Sequence, residues 1–416
     1  MEYGLIAEHV GHSFSATIHG LIDNYEYTLR EIPKDELDAF MRAKQFKGLN
    51  VTIPYKQAVI PYLDEVSDTA KAIGAVNTIV NRDGKLFGHN TDFGGLSALV
   101  RHMGLDLRGK KVLILGTGGT SKTAKAVAES MGAAEILKVS RSGSDGAVTY
   151  AEACRSHTDA EVIINTTPSG MFPNIDAQAI DLAPFAKLCG VVDVVFNPLR
   201  SSLVLAAQAK GVPAEGGLYM LVAQAVYAAE CFTGKTYPTE LIEKIYERLA
   251  VEKRNLVLIG MPACGKTTVG RAAAAALGRE YIDLDELIVA QDGRAITEIF
   301  AQDGEAYFCA EETAAAKAVA GKTGVVIATG GGCPMREENV RFLKMNGALY
   351  FLDRPLESLV PTSDRPTADS LDKMRKLYET RYPKYAAAAD VRIDCAKDVE
   401  EVLRLVLQSF LKENEA

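Results

Sequence analysis

The chain has no CxxC pair among its seven cysteines, and their number is odd. Scattered thiols of this kind suit a reducing, cytoplasmic setting better than a disulfide framework. There is no basic run, and the formal net charge is −8 at pH 7. Neither a nucleic acid nor a membrane surface is therefore expected as a partner. The most apolar helical stretch, Leu218–Phe232, contains Gln224 and Glu230 and is too short to span a bilayer. No signal peptide is expected, because a strand-like run, Tyr3–Ala7, begins almost at once. All six histidines lie before residue 158. Proton transfer in the second half must then use another residue type. Internal repeats, low-complexity tracts and a Gly/Ser/Pro-rich linker are also missing, and no motif speaks to oligomeric state.

The composition that remains, 48% hydrophobic and 24% charged over 416 residues, is that of a globular protein with two or more domains. Apolar β-like runs at Tyr3–Ala7, Leu49–Ile53, Val76–Val80, Val112–Leu115, Ile136–Val139, Val162–Ile164 and Val191–Val195 alternate with helical patterns up to about Ala250. That alternation predicts an α/β fold with mostly parallel sheets. A helix is expected over Pro33–Phe46, with Pro at its first turn and Gly48 just past its end. A charged helix, Thr239–Leu249, then leads through residues 251–254 into the next strand, a short and stiff connection.

That strand, Leu256–Ile259, precedes Gly260-x-x-x-x-Gly265-Lys266-Thr267, and Thr268–Leu277 is rich in helix formers. Strand, glycine-bearing loop and helix aim backbone N–H groups and a positive helix end at a polyphosphate such as that of ATP. Lys266 would neutralise β/γ-phosphates, with Gly260, Gly265 and Thr268 in the same cradle, and the Thr267 hydroxyl would take Mg²⁺. Next, Tyr281-Ile-Asp283-Leu-Asp285 reads as a strand ending in two carboxylates on one face. Asp283 could hold Mg²⁺ through water, and Asp285 could orient an acceptor hydroxyl and accept its proton.

In the first half, Gly116-Thr-Gly118-Gly119 follows the strand Lys111–Leu115 and opens a helix, Thr120–Met131. The next strand ends at Ser140-Arg141-Ser142, where a Rossmann unit meets the adenosine ribose. Arg141 suits a 2′-phosphate, so NADP is favoured over NAD. Polar residues lie at strand ends upstream: Ser13 and Ser15, Thr52 and Lys56, Asn77, and Asp92. A lysine near an aspartate can donate a proton to a carbonyl that receives hydride. Spacing alone does not pair Lys56 with Asp92.

These segments resemble the shikimate dehydrogenase family. HSFSATIHG is similar to its Ser-x-Ser substrate loop, NVTIPYK to its lysine strand, and GAVNT and NTD to its next signatures; GTGGTSK, INTTPSGM and Gly217-LYMLVAQ complete the set over about residues 1–250. The resemblance implies that Ser13, Ser15, Thr52, Asn77, Asp92 and Gln224 hold 3-dehydroshikimate or shikimate. It also implies Lys56 as the acid/base residue aided by Asp92, with Gly217 in the cofactor region and hydride from NADPH. Ala16 stands where the family usually has proline, and Phe196 replaces a common tyrosine near the substrate. Losing that hydroxyl costs about 0.5–1.5 kcal/mol.

Residues 254–416 resemble shikimate kinase. By that resemblance Asp285, Gly331 of the triplet 330–332 and Arg381 contact shikimate, and Arg365, in the polar segment Thr362–Ser370, is a lid arginine closing over ATP. Two departures stand out. Cys309, in Gly304-Glu305-x-x-Phe308-Cys309, occupies the place of a carboxylate-binding arginine, and Ala263 replaces a P-loop glycine. The expected architecture is a substrate-binding α/β domain at 1–95 and 218–250, a Rossmann NADP-binding domain at 96–217, and a P-loop kinase domain at 254–416. Two successive reactions on one small molecule follow as the expected function. The rival expectations are a quinate/shikimate dehydrogenase for the first half and a degenerate nucleotide-binding module for the second.

Overall fold

A computed structural model describes residues 2–10, 13–144, 146–359 and 371–412. The chain divides into two compact units: Met1–Met171 with Ala177–Phe196 and Ala206–Arg248, and Phe172–Asp176 with Asn197–Leu205 and Leu249–Ala416.

The first unit contains two six-stranded sheets. One is built from β1 (Tyr3–Ala7), β2 (Tyr27–Glu31), β3 (Gly48–Val51), β4 (Glu65–Val66), β5 (Thr78–Arg82) and β6 (Lys85–His89), in the order β2-β1-β3-β5-β6-β4. β1 runs parallel to β2 and β3, whereas β5 is antiparallel to both β3 and β6. The second sheet holds β7 (Lys111–Leu115), β8 (Glu135–Ser140), β9 (Val148–Thr149), β10 (Val162–Asn165), β11 (Gly190–Asp193) and β12 (Ala214–Glu215). Its order, β12-β11-β10-β7-β8-β9, is parallel throughout and reverses direction of progression at β7 and β10. Fully buried runs such as Val112–Leu115 and Val162–Ile164 make this sheet two-sided, as parallel sheets require.

Two helices join these halves of the first unit, Thr91–His102 and Leu218–Thr233. They approach closely because Gly95 has no side chain: a Cβ there would lie 2.7 Å from Met220 O and 2.9 Å from Gln224 Cβ.

The second unit has a five-stranded parallel sheet of β13 (Asn255–Ile259), β14 (Tyr281–Asp283), β15 (Val326–Ala328), β16 (Gly347–Asp353) and β17 (Val391–Asp394), in the order β14-β15-β13-β16-β17. β13 and β16 are buried along their whole length. The α/β class and parallel sheets agree with the sequence reading.

Several boundaries differ from expectation. The helix placed at Pro33–Phe46 spans Leu37–Ala43: Pro33–Glu36 forms a turn, and Lys44 ends the helix at φ +52°. The run Val76–Val80 becomes β5, two residues later, and Asp83-Gly84, both at positive φ, turn it back as β6. Asp285 is not on a strand. β14 ends at Asp283, whose side chain accepts the Asp285 N–H and caps the helix Leu284–Asp292.

Candidate active sites

The first site forms where β3, β5 and the helix Thr91–His102 meet. Lys56 follows the turn after β3, and its carbonyl is pinned by the Val76 N–H at 2.8 Å. Asp92 lies in the first turn of the helix, which Asn90 caps by accepting from Phe93 N–H. These two supports bring the Lys56 ammonium to within 2.6 Å of Asp92 Oδ2, joining groups that are 36 positions apart in sequence. Both side chains keep partial access to solvent, 25% and 14% exposed, so the pair can be reached from outside the core.

Asn77 is fixed by the same helix. Its Oδ1 accepts the Thr91 N–H at 2.7 Å and the Thr78 hydroxyl at 3.1 Å, and its amide donates to Thr91 Oγ1 at 3.1 Å. Thr52 opens the turn before Lys56, its carbonyl accepting from Tyr55 N–H at 2.9 Å. Ser13 Oγ donates to Ser15 Oγ at 3.1 Å and accepts the Ser15 N–H. Gln224 stands on the helix packed against Gly95, one turn from Asp92, with Nε2 donating to Leu221 O. Phe196 meets Phe14 edge-to-face at 5.7 Å between centroids, which gives the serine loop an apolar contact. Sequence reasoning gave no role of their own to Asn50 and Thr91, the buried links between these groups. Their signal was polarity at the ends of otherwise apolar segments.

At the second sheet, β7 leads into Gly116 at φ +108°. A Cβ there would crowd Thr166 Oγ1 and Thr167 Cγ2, each at 3.0 Å, at the point where strand order reverses. Gly118 caps the helix Gly119–Ser130 and accepts from Ser121 Oγ at 2.6 Å. Cβ atoms on Gly118 or Gly119 would enter open space, leaving room for a pyrophosphate over the helix N-terminus. Ser140 ends β8 and accepts the Gly143 N–H, while Arg141 beside it is exposed. The residues fit a phosphorylated dinucleotide. At Gly217 a Cβ would lie 2.3 Å from Val194 O, so only glycine allows this close backbone packing at the start of Leu218–Thr233.

The second unit's P-loop connects β13 to the helix Lys266–Leu277, which starts two residues earlier than expected because Gly265, at φ +103°, caps it. Gly260 stands at φ +144°, where a Cβ would meet Leu352 O at 2.8 Å. Ala263 takes φ +62°, the strained region anticipated for this glycine replacement. Lys266 Nζ donates to Gly260 O and Met261 O, both at 2.9 Å, and the side chain is buried. Thr267 and Thr268 are exposed in the first helical turn. Thr267 Oγ1 donates to Asp283 Oδ2 at 3.1 Å. A hydroxyl and a carboxylate so placed are hard oxygen donors that fit Mg²⁺ held partly through water.

Next to this loop is a cavity of about 440 Å³ lined by Pro262, Asp285, Cys309, Glu312, Gly331 and Arg381 among others. The expected acceptor residues Asp285, Gly331 and Arg381 thus converge on one space. A Cβ on Gly331 would meet Pro262 at 3.0 Å and Arg381 Nη1 at 3.4 Å, and Gly331 O accepts from Tyr385 Oη at 2.5 Å. Arg365 lies outside the described residues. Glu312, on the helix Gly304–Val319, was missed in the sequence, where it reads as one more helical charge. It is buried, and its Oε1 lacks a hydrogen-bond partner among the described residues. Burial, then the nearby Asp285 charge, push its carboxyl up to about 7, against the pull of Arg381 and Arg336. Burial also raises the Cys309 thiol.

Comparison with known proteins bears on both halves of the chain. A family model described as shikimate dehydrogenase substrate binding domain matches residues 5–79. The chain is 36% identical over 265 residues to a shikimate dehydrogenase (NADP(+)) of Clostridium perfringens, covering 59% of this chain and 97% of that protein. The chain belongs to the shikimate dehydrogenase family. A relative of the same description from Geobacillus kaustophilus is also 36% identical, covering 56% of this chain and 92% of the relative. Among solved structures, a chorismate mutase/shikimate 5-dehydrogenase fusion from Clostridium acetobutylicum matches at 33% identity and TM-score 0.56, over 59% of this chain and 96% of that one. Shikimate 5-dehydrogenase from Thermus thermophilus, in complex with NADP(H) and shikimate, matches at 27% identity and TM-score 0.54, over 60% of this chain and 99% of that one. Residues 262–411 match the shikimate kinase family model, so the chain joins a shikimate dehydrogenase part to a shikimate kinase domain. No helix among the described residues is long and apolar enough to cross a membrane.

Proposed function

We propose that this chain performs two successive reactions on one carbocyclic acid: NADPH-dependent reduction of 3-dehydroshikimate to shikimate, then ATP- and Mg²⁺-dependent phosphorylation of the shikimate 3-hydroxyl. The Lys56–Asp92 pair at 2.6 Å carries the first assignment. Asp92 holds the Lys56 ammonium where solvent reaches it, and Lys56 Nζ gives its proton to the carbonyl oxygen as that oxygen becomes a hydroxyl. Asn77, with Oδ1 committed to Thr91 and Thr78, keeps amide N–H capacity for a substrate oxygen. Ser13, Ser15, Thr52 and Gln224 orient the remaining hydroxyls and the carboxylate. NADPH, when bound along Gly116, Gly118 and Gly119 with its 2′-phosphate at Ser140 and Arg141, supplies the hydride.

Convergence of Asp285, Gly331 and Arg381 on one cavity beside the P-loop supports the second assignment. Asp285 receives the proton of the acceptor hydroxyl, and Arg381 faces the acceptor carboxylate. Lys266, Thr267 and Asp283 hold the phosphates and Mg²⁺, and bound ATP supplies the phosphoryl group. The partners are small molecules, and the setting proposed is the cytoplasm. The named dehydrogenase relatives support the NADP reading of the first half.

Two observations favour a second reading of residues 254–416, a nucleotide-binding module without phosphoryl transfer: Cys309 on the cavity wall and Ala263 at φ +62°. Shikimate-dependent ADP release, with Lys266→Ala as control, separates the two. Release above background supports the kinase; none at millimolar shikimate leaves only the binding module. For the first half, a clear preference for quinate and NAD over shikimate and NADP would overturn the assignment.

A further inference from the structure

The helix Gly304–Val319 turns one face to the cavity beside the P-loop. Glu305, Cys309 and Glu312 stand at i, i+4 and i+7, so they form one row, and all three line that cavity. Glu312 is 3% exposed, and its Oε1 finds no hydrogen-bond partner among the described residues. The glycines beside it leave room for this carboxylate. A Cβ on Gly332 would lie 3.1 Å from both of its oxygens, and one on Gly330 would lie 3.0 Å from Oε1 and overlap Asp285 Oδ1. Two carboxylates therefore meet across Gly330. Arg381 is the one cation among the described lining residues. Arg336, whose charge also acts on Glu312, is exposed and donates to Thr313 Oγ1 at 3.3 Å. Burial and the Asp285 charge raise the Glu312 carboxyl, as expected of an acid short of a cation.

We propose that this cavity binds a small organic cation, an ammonium or guanidinium group, between Glu305 and Glu312 at the wall where Cys309 stands, together with the anionic acceptor. The inference rests on the kinase reading above for the acceptor, and on the row of side chains for the cation. A buried carboxylate without a partner is costly, and a second anion brought in beside it is costlier; a cation between them offsets both. Its N–H groups would donate charge-assisted hydrogen bonds to Glu312 Oε1 and to the acceptor carboxylate. The short Cys309 side chain leaves the space between its two neighbours in the row to such a ligand. No three carboxylates, thiols or imidazoles among the described residues are gathered as a metal site. Spread along a wall, they suit an extended cation with several donors over a bare metal ion. Phe300 and Phe308, with ring centroids 4.8 Å apart, also line the cavity and offer the cation's hydrocarbon body an aromatic surface.

The test uses the full chain and methylguanidinium chloride, with sodium chloride at equal ionic strength as the control for screening. Saturation-transfer NMR is expected to show the methyl resonance in contact with the wild type. Most of that signal should be lost in Cys309→Arg, which fills the site, and in Glu312→Gln, which removes its charge. The calorimetric Kd for shikimate is expected to fall about three- to tenfold at tens of millimolar methylguanidinium, less than a tethered cation would give because a free ion must be immobilised. Cys309→Arg should show no such response. Equal NMR signal in all three proteins, a Kd that sodium chloride moves as far, or competition between methylguanidinium and shikimate would each overturn the proposal. If shikimate binds in neither salt, the fault lies with the kinase reading, and the NMR comparison still decides whether the cation site exists.

Discussion

The two sites differ in how completely their polar groups are matched. Around Lys56, the charge pair, Asn77, Thr78 and Thr91 satisfy one another within bonds of 2.6–3.1 Å. In the cavity beside the P-loop, Asp285, Glu286, Glu305 and Glu312 line the wall with Arg381 as the one cation among the described lining residues. Glu312 also keeps a buried oxygen without a partner among the described residues. A matched site is preorganised, so changes there should only subtract. An unmatched one holds unfavourable electrostatics that substitution can relieve.

The largest effect should come from cutting the matched pair. Lys56→Ala should lower dehydrogenase kcat by roughly 10²- to 10⁴-fold, the range for losing a positioned proton donor. Kinase turnover assayed on the same preparation should not change. Parallel loss of both activities would point to misfolding and not to chemistry.

Relief of the unmatched cavity is tested from the opposite direction. Cys309→Arg places a guanidinium on the wall that holds Glu312 and Glu305, and should lower kinase KM for shikimate about 10- to 150-fold, equivalent to roughly 1.5–3 kcal/mol. An unchanged KM would mean that the acceptor carboxylate is already fully held.

Glu312 makes the contrast visible in stability. Its carboxyl titrates near 7 instead of 4.5, so the native state retains a proton that the unfolded chain releases. The stabilisation is complete below pH 4.5 and is lost as pH rises through about 7, a swing on the order of 3 kcal/mol. Denaturant melts of the second unit at pH 5 and pH 8 should show this loss, and Glu312→Gln should flatten it. The smallest effect expected is from Ala263→Gly, which relieves the left-handed alanine and should add about 1 kcal/mol, raising Tm by roughly 2–4 °C. A lower Tm would place the strain elsewhere.

Much of this contrast was hidden in the sequence, for identifiable reasons. Strand–loop–helix order placed the P-loop and the Gly116 turn, because local spacing alone defines both. Lys56 and Asp92 could not be paired, since the contact depends on Val76 pinning one backbone and Asn90 capping the other's helix. Asp285 was read onto a strand because capping by Asp283 looks the same in sequence as one more alternating residue. The Asp83-Gly84 hairpin carried a legible turn signal that the apolar count passed over. Glu312 could not be singled out, because burial gives it its character and a helical glutamate is ordinarily solvated.

The coupled reaction tests the central claim most directly. With 3-dehydroshikimate, NADPH and ATP–Mg²⁺ supplied together to the full chain, shikimate 3-phosphate should accumulate, and Lys56→Ala should abolish it unless shikimate is added. Accumulation of shikimate alone, with no phosphorylated product at millimolar ATP, would contradict the account.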